Sequence, residues 1–539
     1  MIAFRTNANS VVGIGHLARC YKLAIELSNK GYNCFFYIDH DSDFLKEYLH
    51  PFTIHFLYDF DNHFLNEKSD ALFFQNLLPI NIQAIVVDDY RFSKCWERSV
   101  SSLDVPIIVF DDLNCEEHYC SLLIDGKWEG DLTQYRYQNK TNIECIKLLG
   151  PKYVFIDNLN YQNEAQYKID SLSEFKIILS IGGGGDVSLL SDLIKNILNS
   201  NPNVVNFAIY AVVGPYATNQ NTILSLSQKN DKVIPVLNAK TLFNHLKEAH
   251  LYIGSAGTTL YEALLADIPS ITFSMSTNQL NTLRNIEDLG HFFHLNKLNK
   301  ESFNKISTLI WLIFKNYNRV KKFSKFNKKI SLDFLGAQRV ASTIDNIINK
   351  IYPSHIDDDA VIIHAPIKSV INTDVKYEII LVNDNHINKY LEARNLEINL
   401  KNMIANEKVE QLDHYIWWLT SERISYLLNK DDKPLLYIWH QVKLIQGFSV
   451  LVGGWFVCNE ECGPVDSMYA LDQQLQITDK DFPGIPWVAV IKKTNQYVQL
   501  LNKRVGFLEL TESDFMYKIA KNCFPFATTN DFYFYSRNQ

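Results

Sequence analysis

A histidine at the start of a predicted helix is the first residue of this chain that could perform chemistry. His16 follows a turn that contains Gly13 and Gly15, and a short apolar strand, residues 2–4, leads into that turn. Glycines let the backbone approach a ligand closely, and the free N–H groups of a helix start attract anions. An imidazole at this place can take a proton from water or from a hydroxyl group at neutral pH. The spacing indicates a general base beside an anion, although Ala18 breaks the dinucleotide-binding fingerprint.

A second turn of small and hydroxyl residues precedes another predicted helix, in the later half of the chain. The predicted strand 251–253 leads into Ser255, Ala256, Gly257 and Thr258. Such a helix start suits a diphosphate, and Glu262, one turn further on, is placed to accept hydrogen bonds from ribose hydroxyls. A simpler interpretation is that Ser255 or Thr258 caps the helix and that Glu262 is a capping-box partner. Because one such turn lies in each half of an α/β chain, the two together favour facing domains with a cleft between them.

Acidic pairs and a glycine run follow other predicted strands. The pairs 88–89 and 111–112 are both Asp-Asp, and each stands just after an apolar run, at the edge where α/β sheets place ligands. Tyr90 follows the first pair and belongs to the same edge. Asp-Asp after a strand is also common as a helix cap or turn. Residues 182–185 are four glycines, which permit either a tight approach to a ligand or a crossing between lobes.

Composition excludes several classes of protein. With 539 residues, 47% of them hydrophobic and 21% charged, the chain is long enough for several domains with substantial cores. A net charge of −8 argues against a broad nucleic-acid surface. The nine cysteines show no repeating CxxC pair, so we expect reduced thiols and no metal site. We find neither a secretion signal nor an uncharged apolar run of the ~18 residues that span a bilayer, and we expect a cytoplasmic protein without a membrane partner.

Apolar runs that alternate with helical stretches predict an α/β fold. Continuous apolar strands between helices indicate parallel sheets that are covered on both faces. We expect a first lobe over residues 1–165 and a second, nucleotide-binding lobe over 166–352. The acidic, proline-containing stretch 353–365 is typical of a linker. Residues 366–539 are then a separate α+β domain with its own strands and aromatic core positions.

Four segments, in this order, resemble a known family. They are RTNANSVVGIGHLARC from Arg5, VVDDY ending at Tyr90, ILSIGGGGD from residue 178 and SAGTTLYEALLADIPSI from Ser255. Together they resemble the UDP-sugar hydrolases of pseudaminic acid biosynthesis, which remove UDP from a UDP-linked diacetamido-trideoxy-altrose. The resemblance covers roughly residues 1–350 and implies two Rossmann-like lobes of the GT-B type. This chain departs from the family in its first loop, where Asn7 and Asn9 stand at positions that usually hold Asp and Ser.

The resemblance also assigns roles to individual residues. It implies His16, Tyr90 and Asn278 as the catalytic residues, with His16 as the base. The substrate-binding residues that we predict are Arg5, Asn7, Gly13, Gly15, Ser255, Ala256, Gly257, Thr258, Glu262 and Gln279. In this scheme UDP lies in the interlobe cleft, with its diphosphate on the turn 255–258 and its ribose on Glu262. Helix N-termini stabilise the leaving group, and hydrolysis needs no cofactor.

The C-terminal part resembles the GNAT acetyltransferases, less closely. In IKKTNQYVQLLNKRVGF, residues 491–507, an Asn is followed by a Gly-Phe turn, which in that fold joins a helix to the next strand. The resemblance covers most of residues 375–510 and implies acetyl-CoA as a cofactor. It places acyl-CoA contacts on Phe456, Val457, Asn495 and Asn502. The chain departs from the family in two ways: Asn502 replaces a proton-donating tyrosine, and the acidic loop 459–466 replaces a pyrophosphate-binding loop.

These observations predict an inverting hydrolase of a UDP-linked diacetamido-trideoxy sugar in nonulosonic acid biosynthesis. N-acetyl transfer to the preceding 4-amino sugar nucleotide, by the GNAT-like domain, would be a second activity. Three alternatives stay open: a GT-B glycosyltransferase that uses an acceptor hydroxyl, a protein that only binds a nucleotide sugar, and a hydrolase whose GNAT-like domain is a non-catalytic scaffold.

Overall fold

The computed structural model describes residues 1–10, 12–58, 64–156, 174–200, 206–239, 241–275, 285–326, 330–350 and 376–538. The chain divides into two units, Met1–Ile363 and His364–Gln539. The predicted lobe boundary at 165–166 and the predicted linker, 353–365, lie outside the described residues.

A parallel sheet of seven strands forms the first lobe of unit 1. Its strands are β1 (Ile2–Thr6), β2 (Cys34–Ile38), β3 (Thr53–Phe56), β4 (Ala84–Asp88), β5 (Ile107–Phe110), β6 (Leu122–Asp125) and β7 (Ile146–Leu149). Their order across the sheet is β3-β2-β1-β4-β5-β6-β7. The central strands are mainly apolar and fully buried, because helices cover both faces, although β1 and β4 end in polar residues. The apolar pattern predicted these strands but not the partly exposed edge strands β3 and β7.

Four helices connect the strands of this lobe. They are α1 (Gly15–Asn29), α2 (Asp43–Leu49), α3 (Glu67–Leu77) and α4 (Lys94–Val100). The buried side of α1 consists of Leu17, Cys20, Leu23, Ala24 and Leu27, which recur with a helical period. This burial fixes α1 against the sheet, with its first turn at the carboxyl end of β1.

The second lobe contains a six-stranded parallel sheet and a two-stranded parallel ribbon. Its strands are β8 (Phe175–Ser180), β9 (Gly184–Asp186), β10 (Phe207–Val213), β11 (Tyr216–Thr218), β12 (Val233–Leu237), β13 (Leu251–Ser255), β14 (Ser270–Phe273) and β15 (Phe293–Leu295). The order in the larger sheet is β12-β10-β8-β13-β14-β15, and β11 pairs with β9. Helices α5 (Ser188–Asn199), α6 (Asn221–Lys229), α7 (Phe243–Glu248) and α8 (Thr258–Leu265) alternate with these strands, and α9 (Phe303–Lys315), α10 (Tyr317–Phe326) and α11 (Gly336–Ile348) follow them.

The last helix of unit 1 returns to the first lobe. Val340, Ala341 and Ile344 of α11 are buried in the same apolar core as α1. Tyr32 donates a hydrogen bond of 2.6 Å to Asp345 across the same contact. The first lobe therefore includes a helix from about 170 residues beyond its predicted boundary, and apolar periodicity alone carries no sign of this.

Unit 2 is an α+β domain with a mixed sheet. Its strands are β16 (Tyr377–Leu381), β17 (Ile424–Lys430), β18 (Lys433–Ile445), β19 (Phe448–Val457), β20 (Trp487–Lys492), β21 (Leu508–Glu509) and β22 (Phe532–Arg537). Its helices are α12 (Ile387–Arg394), α13 (Glu397–Leu400), α14 (Gln411–Thr420), α15 (Pro464–Asp481), α16 (Gln496–Arg504) and α17 (Phe515–Cys523). The sheet order is β16-β17-β18-β19-β20-β22-β21. The parallel neighbours β19 and β20 pair only at Leu451 and Trp487.

The predicted fold class is confirmed. Unit 1 contains two Rossmann-like parallel sheets, and unit 2 is a separate domain with a mixed sheet. The local order predicted for the C-terminal domain is also present, since β20 is followed by α16, by Gly506 and Phe507, and then by β21.

Candidate active site

The first candidate loop lies where the strand order of the first sheet reverses. The chain goes from β1 to β2 on one side and later returns to pair β4 on the other side. In the register of that pair Thr6 lies opposite Asp88, so both strands end at the same edge. Ligands of open α/β sheets bind in the crevice outside such a switch point. The turn after β1 is closed by a hydrogen bond of 2.8 Å from the Gly13 N–H to the Asn9 carbonyl, and Gly13 has the positive φ of 73° that favours glycine.

His16 and Asp88 form a hydrogen-bonded pair in this crevice. Nδ1 of His16 lies 2.6 Å from Oδ1 of Asp88. The carboxylate is fully buried, whereas the His16 side chain keeps 12% of its surface exposed. Because a carboxylate only accepts hydrogen bonds, it holds the proton of the imidazole on Nδ1 and leaves Nε2 as an acceptor. No hydrogen bond to Nε2 joins His16 to any of the described residues.

The charges around the pair favour an ionised Asp88 and a basic His16. Burial raises the pKa of Asp88, but the charges of Arg19 and His16 outweigh burial and hold the pKa below its ordinary value. Burial lowers the pKa of His16, but the charge and hydrogen bond of Asp88 outweigh burial and raise that pKa above its ordinary value. Arg19 donates hydrogen bonds of 2.8 and 2.7 Å to the two oxygens of Asp88. The site therefore contains a base that holds a proton tightly, oriented by a carboxylate that stays charged.

Tyr90 packs edge-on against the His16 ring. The ring centroids are 4.5 Å apart with planes at 85°. The Tyr90 hydroxyl donates a hydrogen bond to Oδ1 of Asp112, and the other oxygen of that carboxylate lies 3.8 Å from Nη1 of Arg19. Tyr90 thus fixes one face of the imidazole. Each of the two predicted acidic pairs contributes one residue to the site, Asp88 from the first and Asp112 from the second.

Sequence reasoning did not find the partners of His16. The Asp88-Asp89 and Asp111-Asp112 pairs were predicted only as edge residues, and Arg19 was not singled out. Arg19 lies three residues after His16, a spacing that places both on one face of α1. That spacing together with the acidic residue at the end of β4 is the signal that could have found them.

Two predicted substrate contacts, Arg5 and Asn7, are buried beneath the crevice. Arg5 is completely buried, and its guanidinium lies 2.6 Å from carboxylate oxygens of both Asp39 and Asp70. The Asn7 amide donates a hydrogen bond of 3.1 Å to Asp39, to which Arg91 also donates. Because Arg5 has no exposed surface and two carboxylate partners, we assign it to the support of the first loop rather than to a substrate contact.

The second candidate turn opens α8 at the switch point of the other sheet, between β8 and β13. Ser255 and Ala256 are buried at the end of β13, whereas Thr258 is exposed. Gly257 is the N-cap of α8, and none of the described side chains caps that helix start. The simpler interpretation, in which Ser255 or Thr258 caps the helix, does not hold. The Leu260 N–H donates to the Gly257 carbonyl, and the N–H groups of Thr258 and Thr259 are open to an anion as far as the described residues go.

Glu262 links this turn to the first lobe. Its side chain is 7% exposed, and Oε1 lies 3.8 Å from Nζ of Lys22 on α1. Lys22 also donates a hydrogen bond of 3.2 Å to the carbonyl oxygen of Phe155. α1, which carries His16 in its first turn, therefore faces α8, which follows the candidate diphosphate turn.

The glycine run makes a close contact between the lobes. A Cβ on Gly184 would lie 3.0 Å from Cα of Gly13, and one on Gly183 would overlap the side chain of Ile14. The run lies within the second lobe, leading from β8 into β9, so it is not a crossing between the lobes. It brings the loops of the two sheets into close contact at Gly13 and Ile14. Asn278 and Gln279 lie outside the described residues.

The predicted acyl-CoA contacts on β19 are already engaged in unit 2. The Val457 N–H donates a hydrogen bond of 3.0 Å to Oδ1 of Asn399, and Nδ2 of Asn399 donates one of 2.8 Å to the Val457 carbonyl. Phe456 is buried in ring contact with Tyr390 and Tyr437. A pantetheine chain could pair with this part of β19 only after Asn399 had moved.

The other predicted acyl-CoA contacts are engaged within α16. The Asn495 side chain caps α16 by accepting a hydrogen bond from the Val498 N–H. The Asn502 amide donates a hydrogen bond of 2.8 Å to the Val498 carbonyl. At the start of α15 the Gly463 N–H donates a hydrogen bond of 2.8 Å to the carboxylate of Asp466. A carboxylate thus occupies the helix start where a pyrophosphate would need free N–H groups. These residues do not fit bound acyl-CoA as they stand.

Neither a metal site nor a membrane-spanning helix is found in the part of the chain that the structure describes. In that part, no group of three or more His, Cys, Asp and Glu side chains could hold a metal ion. None of the helices in those ranges is long and apolar enough to cross a membrane.

Comparison with known proteins gives distant relatives. The chain matches no protein-family model. It is 25% identical over 285 residues to an uncharacterized protein of Methanocaldococcus jannaschii, with 50% of this chain and 54% of that protein covered. It is 23% identical over 278 residues to a Helicobacter pylori protein named pseudaminic acid cytidylyltransferase and UDP-2,4-diacetamido-2,4,6-trideoxy-beta-L-altropyranose hydrolase, with 52% of this chain and 45% of that protein covered. The chain spans about half the length of the curated relatives it matches.

Solved structures add little to this. MurG of Acinetobacter baumannii aligns with a TM-score of 0.43 at 12% identity, and the alignment covers 64% of this chain and 99% of the MurG chain. A likeness at this level carries no argument about function. The name of the H. pylori relative includes the hydrolase that the sequence motifs resemble.

Proposed function

We propose that unit 1 hydrolyses a UDP-linked diacetamido-trideoxy sugar with inversion and releases UDP, as a step of nonulosonic acid biosynthesis. The observation that carries this proposal is the His16–Asp88 pair at the switch point of the first sheet, with Nε2 of His16 left as an acceptor. Support comes from the motif order in the sequence and from the name of the H. pylori relative.

The pair supplies the base of the reaction. The oxygen of a water molecule forms a bond to the anomeric carbon, while the bond from that carbon to the diphosphate oxygen breaks. The water proton goes to Nε2 of His16, and the electron pair of the broken bond leaves on UDP. Asp88 stabilises the imidazolium that forms and keeps the ring in one orientation. Tyr90 holds the other face of the ring and is close enough to the site to orient the sugar.

The second lobe supplies the nucleotide site in this proposal. The uncapped start of α8 binds the diphosphate and stabilises the negative charge that grows on it as the bond breaks. Glu262 binds the ribose from the adjacent turn of the same helix. Because Glu262 also lies near Lys22 of α1, nucleotide binding is coupled to the position of the helix that carries His16.

The test is an assay of the purified chain with a UDP-linked diacetamido-trideoxy sugar and no acceptor. We expect stoichiometric UDP and free sugar over many turnovers, with the inverted anomer seen first by NMR. UDP release that needs an added acceptor hydroxyl would identify a glycosyltransferase instead. One equivalent of bound sugar nucleotide without turnover would identify a binding protein.

For unit 2 we propose a non-catalytic role beside the hydrolase. Acetyl transfer would need acetyl-CoA on β19 and at the start of α15, where Asn399 and Asp466 already hold the backbone groups. It would also need a proton for the departing thiolate, and the amide of Asn502 cannot supply one at pH 7. Tyr497 and His414 are the nearest other candidate donors by sequence, and the Tyr497 hydroxyl already donates a hydrogen bond of 2.9 Å to the Pro464 carbonyl. His414 is buried, and burial lowers its pKa to about 4, so the ring is neutral. Its Nε2 lies 2.7 Å from the Ile387 carbonyl.

Glu262→Gln is expected to raise KM for the UDP-sugar about tenfold or more while kcat stays within about threefold, because the residue is assigned to ground-state nucleotide contacts. Steady-state kinetics and UDP calorimetry measure this. Glu248→Gln makes the same chemical change at an exposed position and serves as the control. If Lys22→Met reproduces the full effect of Glu262→Gln, the interlobe contact rather than the ribose contact is responsible. Unchanged UDP affinity in Glu262→Gln would place the nucleotide elsewhere.

Residues 1–352, expressed without unit 2, are expected to fold and to hydrolyse the UDP-sugar within about threefold of the rate of the whole chain. All residues assigned to the hydrolase belong to unit 1, and Met1–Ile363 forms one of the two units of the chain. Circular dichroism, a thermal melt and the UDP-release assay measure this. A folded but inactive fragment would show that unit 2 contributes to the hydrolase site.

A further inference from the structure

Two arginines of unit 2 lack the carboxylate partners that partly buried arginines usually have. Arg394 ends α12 and Arg423 lies just before β17, and both are partly buried. Within the described ranges, neither forms an ion pair. Nη1 of Arg394 and Nε of Arg423 are buried and have no hydrogen-bond partner among the residues that the structure describes.

Aromatic rings hold Arg423 in place without neutralising its charge. Its guanidinium carbon lies 3.8 Å from the Trp439 ring centroid and 5.0 Å from that of Trp417. Contact with ring faces restricts the plane of a guanidinium but leaves the N–H groups at its edge for hydrogen bonds. In the described part of unit 2, Arg394 donates one hydrogen bond, of 2.9 Å from Nη2 to the Ala405 carbonyl.

The two arginines lie beside the same aromatic residues. The ring of Tyr390, one turn before Arg394 on α12, lies 5.9 Å from the Trp417 ring that Arg423 contacts, and the Tyr390 hydroxyl lies 3.3 Å from Oγ of Ser425, two residues after Arg423. Burial lowers the pKa of Arg394, and the charge of Arg423 lowers it further. Glu392 and Glu422 stand next to the arginines in sequence, yet neither is within ion-pair distance of Arg394 or Arg423 among the described residues. Two like charges with buried, unused donors are costly in the folded domain unless an anion binds between them.

We propose that Arg394 and Arg423 form a binding site for the phosphate group of a small molecule. A phosphate dianion matches the two uncompensated charges, and its oxygens suit the planar fork of donors that each guanidinium offers. The tryptophans fix one fork in advance, so little side-chain freedom is lost when the anion binds. This site belongs to unit 2 and is independent of the hydrolase proposed for unit 1.

The test uses the whole chain and inorganic phosphate as the probe, with sodium acetate and sodium chloride at equal ionic strength for comparison. We expect phosphate to raise the Tm of the parent and of Arg504→Gln, an exposed charge-loss control in unit 2. We expect the double variant Arg394→Gln, Arg423→Gln to need at least about tenfold more phosphate for the same shift, since two charge-assisted forks are removed. Equal shifts in the parent and the double variant would overturn the site. Acetate acting as well as phosphate would overturn the ligand class.

A measurement on the unmodified chain covers the case in which the double variant does not fold. Phenylglyoxal modifies accessible guanidinium groups, and peptide mass spectrometry locates the modified residues. Phosphate is expected to slow the modification of Arg394 and Arg423 severalfold, while Arg504 reacts at an unchanged rate. Equal rates with and without phosphate at Arg394 and Arg423 would overturn the proposal.

Discussion

Replacing His16 by alanine is expected to lower the rate of UDP release about 10²- to 10⁴-fold, the contribution of a well-placed base. The imidazole is the group that accepts the water proton in the proposed reaction, and alanine leaves the crevice without an acceptor at that position. The nucleotide contacts lie on α8 in the other lobe, so UDP affinity should stay within about threefold of that of the parent. A coupled assay of UDP release and calorimetry with UDP measure the two quantities separately.

His245→Ala is the matched control for this experiment, because His245 is exposed on α7. We expect its kinetics to equal those of the parent. A His16→Ala variant that keeps activity within about threefold of the parent would remove the assigned role. A variant that loses its cooperative thermal melt would show that His16 is structural, since its hydrogen bond to the buried Asp88 would then be needed for folding.

The parts of this fold that the sequence predicts are those with local signals. The central strands of both parallel sheets are mainly apolar, and the turns before α1 and α8 contain small residues at the position where a helix begins. The edge strands β3 and β7 carry weaker signals because they are partly exposed. The return of α11 to the first lobe depends on packing against α1, which no local pattern records.

The candidate site shows the same division between local and distant information. His16 can be proposed from its own loop, but its partner Asp88 is 72 residues away and is recognised only when β1 and β4 are paired. Arg5 illustrates the opposite case, because its position in a motif suggested a substrate contact while its side chain is buried between two carboxylates. In unit 2 the residue that engages β19, Asn399, is 58 residues from its partner Val457.

Asp88 is the residue through which the largest pH effect should appear. The neutral form of His16 is the base, so activity falls as the pH drops through the pKa of His16. Since Asp88 holds that pKa above its ordinary value of 6.5, we expect the acidic limb of the rate profile of the parent above pH 6.5. Removing the charge of Asp88 leaves burial and the charge of Arg19, which lower the pKa of His16, against the smaller effect of the Asp112 charge, which raises it.

Asp88→Asn should therefore move the acidic limb of kcat/KM to lower pH and also reduce the highest rate, by up to about 10⁴-fold, because an amide neither stabilises the imidazolium nor fixes its tautomer. Steady-state UDP release measured across the pH range gives both quantities. Asp89→Asn makes the same change one residue along, where the carboxylate bonds to Arg91 instead of His16, and it should keep the acidic limb of the parent. A slow Asp88→Asn variant whose acidic limb does not move would mean that another group is the base. Equal shifts of the acidic limb in Asp88→Asn and Asp89→Asn would mean that general loss of charge, rather than the His16–Asp88 hydrogen bond, determines the pH profile.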